Sequence, residues 1–335
     1  ALENETEVSW YPRFETAGNG WPLDFVDAGG MGTQMLNRFD NIRVDTSIFN
    51  DPASCQQDLS GTIITANKPI WVVSAVRGLR LPYCGDSNNQ AAIDKLIMNC
   101  PAFVQDSNCN RGSDFAMEQI LPLDYWGQEY VGPSSPVRDA EQHYWRIYAG
   151  DSDVTVTVTP DQGGPYNLAS RGDNVEIIVP TGTNLLFEGD GPFMPVQYVT
   201  GHHDNAADRG SPAMIQMVPT AQFLDRYVFV TGTEYDEHYV QIIREAGGAD
   251  IELDWTGADP PVPVPVPNNS WQTVGGYEVS TVLLPEQGPY EIHSMAANSF
   301  FGIVQYGYSD HISAGDNSAG YGYMGGMKAE EIFIP

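Results

Sequence analysis

Hydrophobic and polar residues alternate over short stretches along most of the chain, and glycines and prolines separate these stretches. Residues 153–159 are the clearest case, because alternating valine and threonine predict a strand with its valines towards a core. Helical periodicity is found at residues 90–98. Further runs rich in β-branched and aromatic residues predict strands at 61–65, 69–76, 175–179, 194–199, 239–243, 251–254 and 301–306. The pattern therefore predicts an all-β protein.

An internal repeat is visible in the second and third parts of the chain. Residues 121–131 align with residues 218–228, so that Tyr130 corresponds to Tyr227. The order continues with three more matched pairs: residues 142–147 with 237–242, 153–156 with 250–253, and 196–198 with 304–306. We therefore predict tandem β-sandwich-like modules. A β-propeller or another multi-sheet β architecture is the alternative that fits the same strand spacing.

The repeat predicts the boundaries of three regions of the chain. Residues 119–215 form one β module, and residues 216–335 form a second module that ends in a C-terminal strand. A proline-rich insertion at residues 259–269 interrupts the second module and is expected to be an extended connector. Residues 1–118 form an N-terminal β region, which we interpret as a diverged third module with the cysteines in its insertion.

Composition and charge exclude several classes of protein. Among 335 residues, 44 are acidic and 15 are basic, which gives a formal net charge of −29 and argues against a nucleic-acid partner. The longest apolar runs, such as residues 69–76, are far shorter than the roughly 18 to 20 residues of a membrane helix. We therefore predict that the chain is not an integral membrane protein.

Cysteine usage and the first residues indicate an extracellular location. The chain begins at Ala1 without an initiator methionine, which is typical of a mature N-terminus after removal of a signal segment. Four cysteines lie within one stretch, at Cys55, Cys84, Cys100 and Cys109, and their even number favours two disulfides. Their spacing lacks the close pairs of a zinc site. The expected localisation is therefore secreted or cell-surface.

One loop and two tyrosine motifs are the candidate functional sites. Oxygen-bearing side chains alternate in the loop 106–114, and Asp106, Asn108, Asn110 and Asp114 are candidate ligands of a calcium ion, with a plain turn as the alternative. Glycine-spaced tyrosines occur at Tyr306, Tyr308, Tyr321 and Tyr323. They are a candidate interaction surface, and the alternative is that their rings pack over a neighbouring backbone.

The sequence carries no strong catalytic signature. A nucleophile elbow, a phosphate-binding glycine loop and a reactive Cys–His pair are all missing from it. With 44 acidic residues, paired carboxylates of the kind that glycosidases use are uninformative. We therefore expect a protein that is not an enzyme, and a carbohydrate-active enzyme is the remaining catalytic alternative.

Several motifs, taken in order, resemble a known family. They are residues 61–75 (GTIITANKPIWVVSA), 119–131 (QILPLDYWGQEYV), 217–229 (MVPTAQFLDRYVF), and the tyrosine motifs at 306–308 and 320–323. Together they are similar to the N-terminal domain of the IgGFc-binding protein family, from about residue 60 to 325. The resemblance implies a secreted or cell-surface, non-enzymatic binding or matrix protein. The von Willebrand D-type modules that follow in the animal protein are missing here, and the resemblance supplies no binding residues.

Two functional hypotheses follow for the whole chain. The first is a non-enzymatic extracellular or cell-surface binding and adhesion protein, with a protein or glycan ligand. The second is a structural subunit that associates with itself and polymerises into a surface filament or layer, for which the C-terminal strand and the glycine–tyrosine motifs argue. Neither hypothesis requires a cofactor, and calcium at the loop 106–114 is the one candidate.

Overall fold

The computed structural model describes residues 1–17, 23–46, 58–79, 114–138, 141–201, 209–310 and 319–333. In these ranges the chain is built from strands in several separate sheets, joined by two short 3₁₀ turns at Leu123–Tyr125 and Thr220–Gln222. The prediction of an all-β, multi-sheet protein is confirmed. The predicted helical stretch at residues 90–98 lies outside the described residues.

The N-terminal part contains a three-stranded sheet and a separate strand pair. The sheet has the order β2-β1-β3, with β1 (Thr6–Tyr11), β2 (Gly32–Leu36) and β3 (Ile63–Ala66). Trp10 and Val8 on β1 are buried, so one face of this sheet is covered. The pair joins β4 (Val73–Leu79) to β5 (Asp114–Gln119) in antiparallel fashion.

The middle of the chain forms one seven-stranded sheet in which β11 is much longer than the others. A register shift between Glu188 and Phe193 lets β11 pair with β6 and β8 through its first half and with β7 and β12 through its second half. Its strands are β6 (Gly127–Gly132), β7 (Gln142–Ala149), β8 (Val154–Thr159), β9 (Tyr166–Leu168), β10 (Asn174–Pro180), β11 (Leu185–Val199) and β12 (Ala213–Gln216). In β8 the valines are buried and the threonines are more exposed, as the alternation predicts.

The last part of the chain forms two sheets, with the orders β13-β19-β15-β16 and β17-β18-β14-β20-β21. Their strands are β13 (Arg226–Val230), β14 (Glu237–Glu245), β15 (Ile251–Trp255), β16 (Val262–Pro263), β17 (Gln272–Val274), β18 (Tyr277–Leu284), β19 (Pro289–Ser294), β20 (Phe301–Tyr308) and β21 (Gly320–Met324). The proline-rich insertion supplies β16, and Val264 beyond it is buried, so part of the expected connector belongs to a sheet.

Strand order is shared by the middle and last parts of the chain. The order β10-β7-β11-β12 matches β18-β14-β20-β21, and β6-β11-β8-β9 matches β13-β19-β15-β16. The register is also shared, since Tyr144 lies opposite Tyr198 and the aligned Tyr239 lies opposite Tyr306. We call strands β6–β12 the first repeat and strands β13–β21 the second repeat. The domain boundaries themselves stay a prediction.

A tyrosine at the start of each repeat fixes the entry of the chain into its first strand. The Tyr130 hydroxyl accepts a hydrogen bond from the Gly127 N–H at 2.7 Å, and the Tyr227 hydroxyl accepts one from the Leu224 N–H at 3.0 Å. Both tyrosines follow a 3₁₀ turn and have similar sequence contexts. Such a hydroxyl-to-backbone bond resembles the tyrosine corner of β-sandwich domains.

The two repeats share buried surface. The sheet β17-β18-β14-β20-β21 places Ile242 and Ile303 in the core of the second repeat, and places Ile243 and Val304 in the core cluster of the first. This sheet is therefore buried on both faces, which explains why every residue of β20 is buried.

Residues 58–61 and Arg13 attach the N-terminal part to the first repeat. The guanidinium of Arg13 forms an ion pair with Asp173, and that of Arg146 forms one with Asp58 and donates to the Ser60 hydroxyl at 2.8 Å. These contacts fall on the face of β7 and β10.

The segment after β21 differs from its prediction. Residues 325–333 do not form a strand, because their backbone groups are taken up by the two 3₁₀ turns. The Lys328 N–H donates to the Gln222 carbonyl at 3.0 Å, and the Ile332 and Phe333 N–H groups donate to the Asp124 carbonyl at 2.8 and 3.0 Å. The Gln222 side chain is buried and pairs with both backbone groups of Glu330.

Candidate tyrosine surface

Tyr306 and Tyr308 lie in the core and are not open to a partner. Tyr306 donates a hydrogen bond from its hydroxyl to Gln197 Oε1 at 2.6 Å, across the contact between the repeats. The guanidinium of Arg138 lies 4.6 Å from the centre of the Tyr308 ring. Both rings are buried, because the first repeat covers β20. This placement corrects the expectation that these two tyrosines are exposed.

Tyr321 and Tyr323 lie on the neighbouring edge strand β21 and are half-buried. The Tyr321 ring covers Gly307, where an added Cβ would come within 2.2 Å of a ring carbon. The two tyrosine rings stack with centres 5.4 Å apart, and the Tyr323 hydroxyl donates to the Val230 carbonyl at 2.8 Å. The glycine at position 307 is therefore explained by a ring packing over its backbone, while part of each tyrosine remains accessible.

A third tyrosine joins them. The ring of Tyr235 meets Tyr321 edge to face, with centres 4.7 Å apart and an angle of 81° between the planes. His238 Nδ1 lies 2.9 Å from the Tyr321 hydroxyl and anchors that ring from β14. We call Tyr235, Tyr321 and Tyr323 the tyrosine surface. Nothing in the sequence pattern singles out Tyr235. It lies in the loop between β13 and β14, and Tyr321 of β21 meets it there although the two residues are far apart in the sequence.

The tyrosine surface is uncharged and has carboxylates at its border. Burial raises the pKa of Tyr323 to about 12, and burial together with neighbouring Tyr323 raises the pKa of Tyr321. Burial and the charges of Asp114 and Glu234 raise the pKa of Tyr235. Burial lowers the pKa of His238, which keeps the ring neutral at physiological pH. Neutral rings beside acidic side chains attract cationic groups.

The other predicted site residues fall mostly outside the described ranges. Of the four candidate calcium ligands, Asp114 begins β5, and its carboxylate accepts the Phe115 N–H at 2.7 Å. Asp106, Asn108, Asn110 and all four cysteines, Cys55, Cys84, Cys100 and Cys109, lie outside the described residues. In the ranges that the structure covers, no three His, Cys, Asp or Glu side chains are grouped so as to hold a metal ion. Calcium titration and non-reducing mass spectrometry test these two predictions.

A serine–histidine–glutamate arrangement lies at the contact between the repeats. His143 Nδ1 is 3.1 Å from the Ser134 hydroxyl, and His143 Nε2 is 3.3 Å from the Ser135 hydroxyl and 3.7 Å from Glu141. All four side chains are buried. A nucleophile relay needs a serine that is open to a substrate. Ser134 and Ser135 are both buried, and the Ser134 hydroxyl accepts the Gly182 N–H at 2.9 Å. The arrangement is therefore a packing network.

Arg138 holds this network together. Its guanidinium forms an ion pair with Glu141 and donates to the carbonyls of Thr200 and Arg209 at 3.1 and 2.9 Å. Burial alone raises the pKa of Glu141, but the nearby His143 and the charge of Arg138 outweigh it and lower the pKa to about 2. Glu141 is therefore an ionised, neutralised member of the core.

Comparison with known proteins identifies one family. The family model described as IgGFc binding protein matches residues 1–307. No curated protein and no solved structure matches the chain. Among the described residues, no helix has both the length and the apolar character needed to cross a membrane.

Proposed function

Because the chain belongs to the IgGFc-binding protein family, we propose that it is a non-enzymatic adhesion protein of the cell exterior that engages a protein ligand through the tyrosine surface. The family is one of binding proteins that are typically secreted or surface-associated. The observation that carries the proposal is the cluster of three partly exposed tyrosines at one strand edge.

Tyrosine is well suited to this role. Its ring provides a large contact area at a low cost in conformational entropy, and its hydroxyl provides a hydrogen bond. Contacts within the cluster already restrict Tyr321, since Gly307 lies beneath its ring and His238 holds its hydroxyl. The surface is therefore largely preorganised, which lowers the entropy lost on binding.

Charge indicates the chemistry of the ligand. The exposed side chains of Glu234 and Asp236 flank Tyr235, and the chain has a formal net charge of −29. A protein ligand that presents arginine or lysine therefore fits better than an acidic one, and its association is expected to weaken as salt screens the charges. Immunoglobulin Fc is the first probe because the family is described by that ligand.

Biolayer interferometry with immobilised chain and IgG Fc fragment tests the proposal. Tyr235→Ala is expected to weaken binding about tenfold or more, as central aromatic contacts do. Tyr166→Ala removes a half-buried tyrosine of the first repeat and is the matched control. Equal binding by both variants would show that the tyrosine surface is not used. Thermal unfolding of each variant separates loss of binding from loss of folding.

Two other functions remain as alternatives. A filament or layer subunit requires self-association, and its supporting observation is the exposed sheet face described below. A carbohydrate-active enzyme has no supporting observation in the described residues, and a glycan hydrolysis screen is its direct test.

A further inference from the structure

The outer face of the sheet β13-β19-β15-β16 is open at its β13 edge. Alternate residues of β13 point in opposite directions, so that Tyr227 and Phe229 are buried in the core. Val228 and Val230 point outwards and are 66% and 59% exposed, beside the exposed Arg226. We call Arg226, Val228 and Val230 the tail face.

The same position in the first repeat is covered. Val131, which aligns with Val228, is 1% exposed because residues of the second repeat, including Ile243 and Val304, surround it. Glu129 on the same strand accepts hydrogen bonds from Thr220 and Tyr277 of the second repeat. The first repeat therefore uses this surface to hold the next unit of the chain.

The opposite side of each repeat contacts the unit before it. In the second repeat, Gln241 of β14 donates to the Ser134 carbonyl of the first repeat. In the first repeat, the aligned Arg146 of β7 binds Asp58 and Ser60 of the N-terminal part. The two contacts thus use the equivalent face of β7 and β14, so the N-terminal part, the first repeat and the second repeat follow one another in series.

An exposed face also remains at the other end of this series. On the N-terminal sheet, Trp10 packs inwards, while Tyr11, Met31 and Met35 point outwards and are 38%, 60% and 53% exposed. The exposed carboxylate of Glu7 lies on the same side, because Glu7 is opposite Met35. We call Glu7, Tyr11, Met31 and Met35 the head face.

We propose that a second copy of this chain docks its head face on the tail face, which continues the series of contacts between molecules. Both faces are formed mainly by apolar side chains, and on the tail face the guanidinium of Arg226 is ion-paired with Glu291 of β19, which lies opposite Val228. The contact is heterologous, so it leaves a free head and a free tail and permits growth into a filament. Its side chains differ from those of the tyrosine surface, which adjoins the tail face where the Tyr323 hydroxyl donates to the Val230 carbonyl.

Salt gives the contact a distinctive signature. Two copies that each carry a formal net charge of −29 repel one another. The screening length falls from about 10 Å at 0.1 M salt to about 3 Å at 1 M, while apolar contacts are retained. Association is therefore expected to increase with salt, whereas binding of a cationic ligand at the tyrosine surface decreases.

Sedimentation velocity of the full chain in high salt tests the proposal. Val228→Glu on the tail and Met35→Glu on the head are each expected to weaken self-association by about tenfold or more. Leu283→Glu and Met117→Glu alter similarly exposed residues outside both faces and are the matched controls. Thermal unfolding checks that every variant is folded.

Mixing the two variants decides between this contact and a symmetric one. The Met35→Glu copy keeps an intact tail and the Val228→Glu copy keeps an intact head, so the mixture is expected to form pairs and nothing longer. A native chain that stays monomeric at all salt concentrations would overturn the proposal. Failure of the mixture to form pairs, or equal losses in the control variants, would overturn it as well.

Discussion

Gly61 and Gly172 meet backbone to backbone where the N-terminal part contacts the first repeat. A Cβ on Gly61 would lie 2.1 Å from the Gly172 carbonyl oxygen, and a Cβ on Gly172 would lie 2.3 Å from that of Gly61. Both residues also have positive φ, at 84° and 81°. The ion pairs of Arg13 and Arg146 lie beside this contact, so two glycines allow the charged groups to reach each other.

Gly172→Ala is expected to lower the free energy of unfolding by about 2 to 4 kcal/mol, because the new methyl group adds a clash to the cost of positive φ. Gly182→Ala is the matched control, since Gly182 has φ of 78° but open space around it. That control is expected to cost about 1 kcal/mol. Urea unfolding of both variants gives the difference. Equal losses of unfolding free energy in the two variants would mean that a methyl group at position 172 does not clash with Gly61.

Glu118 makes stability depend on pH near neutrality. Its carboxylate accepts the Gln216 N–H at 3.2 Å between β5 and β12, and burial raises its pKa from 4.5 to about 7. The folded chain therefore holds this proton more tightly than the unfolded chain, and stability falls as pH rises from about 4.5 to about 7. Glu118→Gln keeps the hydrogen-bond acceptor and is expected to stabilise the protein by about 1 to 2 kcal/mol at pH 8.

The same variant is expected to have little effect at about pH 3, where Glu118 is protonated in both the folded and the unfolded state. Chemical unfolding at the two pH values measures the difference. Glu3→Gln, which removes the charge of an exposed glutamate, is the control for net charge. An equal gain at both pH values would exclude the titration of Glu118 as its cause.

Breaking the buried pair of Arg138 and Glu141 is expected to be costly. Arg138→Met leaves an ionised carboxylate without its partner and should destabilise the protein by about 3 to 5 kcal/mol. The double variant Arg138→Met and Glu141→Leu should recover part of this loss, because both charges are removed together. Guanidinium unfolding of the native protein, the single variant and the double variant gives the three free energies of unfolding to be compared. A double variant that is less stable than Arg138→Met alone would contradict this expectation, because removing both charges would then cost more than leaving the Glu141 carboxylate unpaired.

The low pKa of Glu141 also predicts a loss of stability in acid. Its ionised form is favoured in the folded state, so its contribution is present above the ordinary pKa of 4.5 and is lost as pH falls towards about 2. Thermal unfolding between pH 5 and pH 2 follows this loss in the native protein. The double variant lacks the carboxylate and is expected to show a shallower fall.

The two corner tyrosines allow a comparison within one molecule. Tyr130→Phe removes the acceptor of one backbone N–H, while Tyr227→Phe also removes a donor to the Phe301 carbonyl at 2.6 Å. Each hydrogen bond lost costs about 0.5 to 1.5 kcal/mol net, and after Tyr227→Phe the Leu224 N–H and the Phe301 carbonyl stay bonded to each other at 3.2 Å. Tyr227→Phe is therefore expected to be the more destabilising variant in thermal unfolding. The reverse order would contradict the hydrogen-bond assignment.

Gln222 is expected to control the segment 325–333. Gln222→Ala removes both side-chain bonds to Glu330, so the amides of Ile332 and Phe333 should exchange with solvent faster. Hydrogen exchange measured by mass spectrometry compares this variant with Gln272→Ala, an exposed glutamine of β17. Unchanged protection at Ile332 and Phe333 would mean that the bonds to Asp124 hold the segment without Gln222.

Local patterns were sufficient for the strands and the repeat. The alternation in residues 153–159 corresponds to β8, and the aligned Tyr130 and Tyr227 make the same hydrogen bond. Both features depend on residues close together in the sequence, and a period of two is a direct consequence of strand geometry.

The orientation of the tyrosines depends on contacts between distant parts of the chain. Tyr306 and Tyr308 are buried because the first repeat covers β20, and no pattern within residues 306–308 shows that cover. Tyr235 joins Tyr321 only through the path of β21. The C-terminal residues end in an apolar run that is typical of a strand, but Gln222 and Asp124 occupy their backbone groups instead.

The attachment of residues 325–333 to both 3₁₀ turns has a mechanical consequence. A pulling force on this segment reaches Asp124 in the first repeat and Gln222 in the second, in addition to β21. Tension is therefore divided between two folded units, and several hydrogen bonds must rupture together before either unit is peeled open. In the adhesion function proposed above, this arrangement would favour resistance to shear.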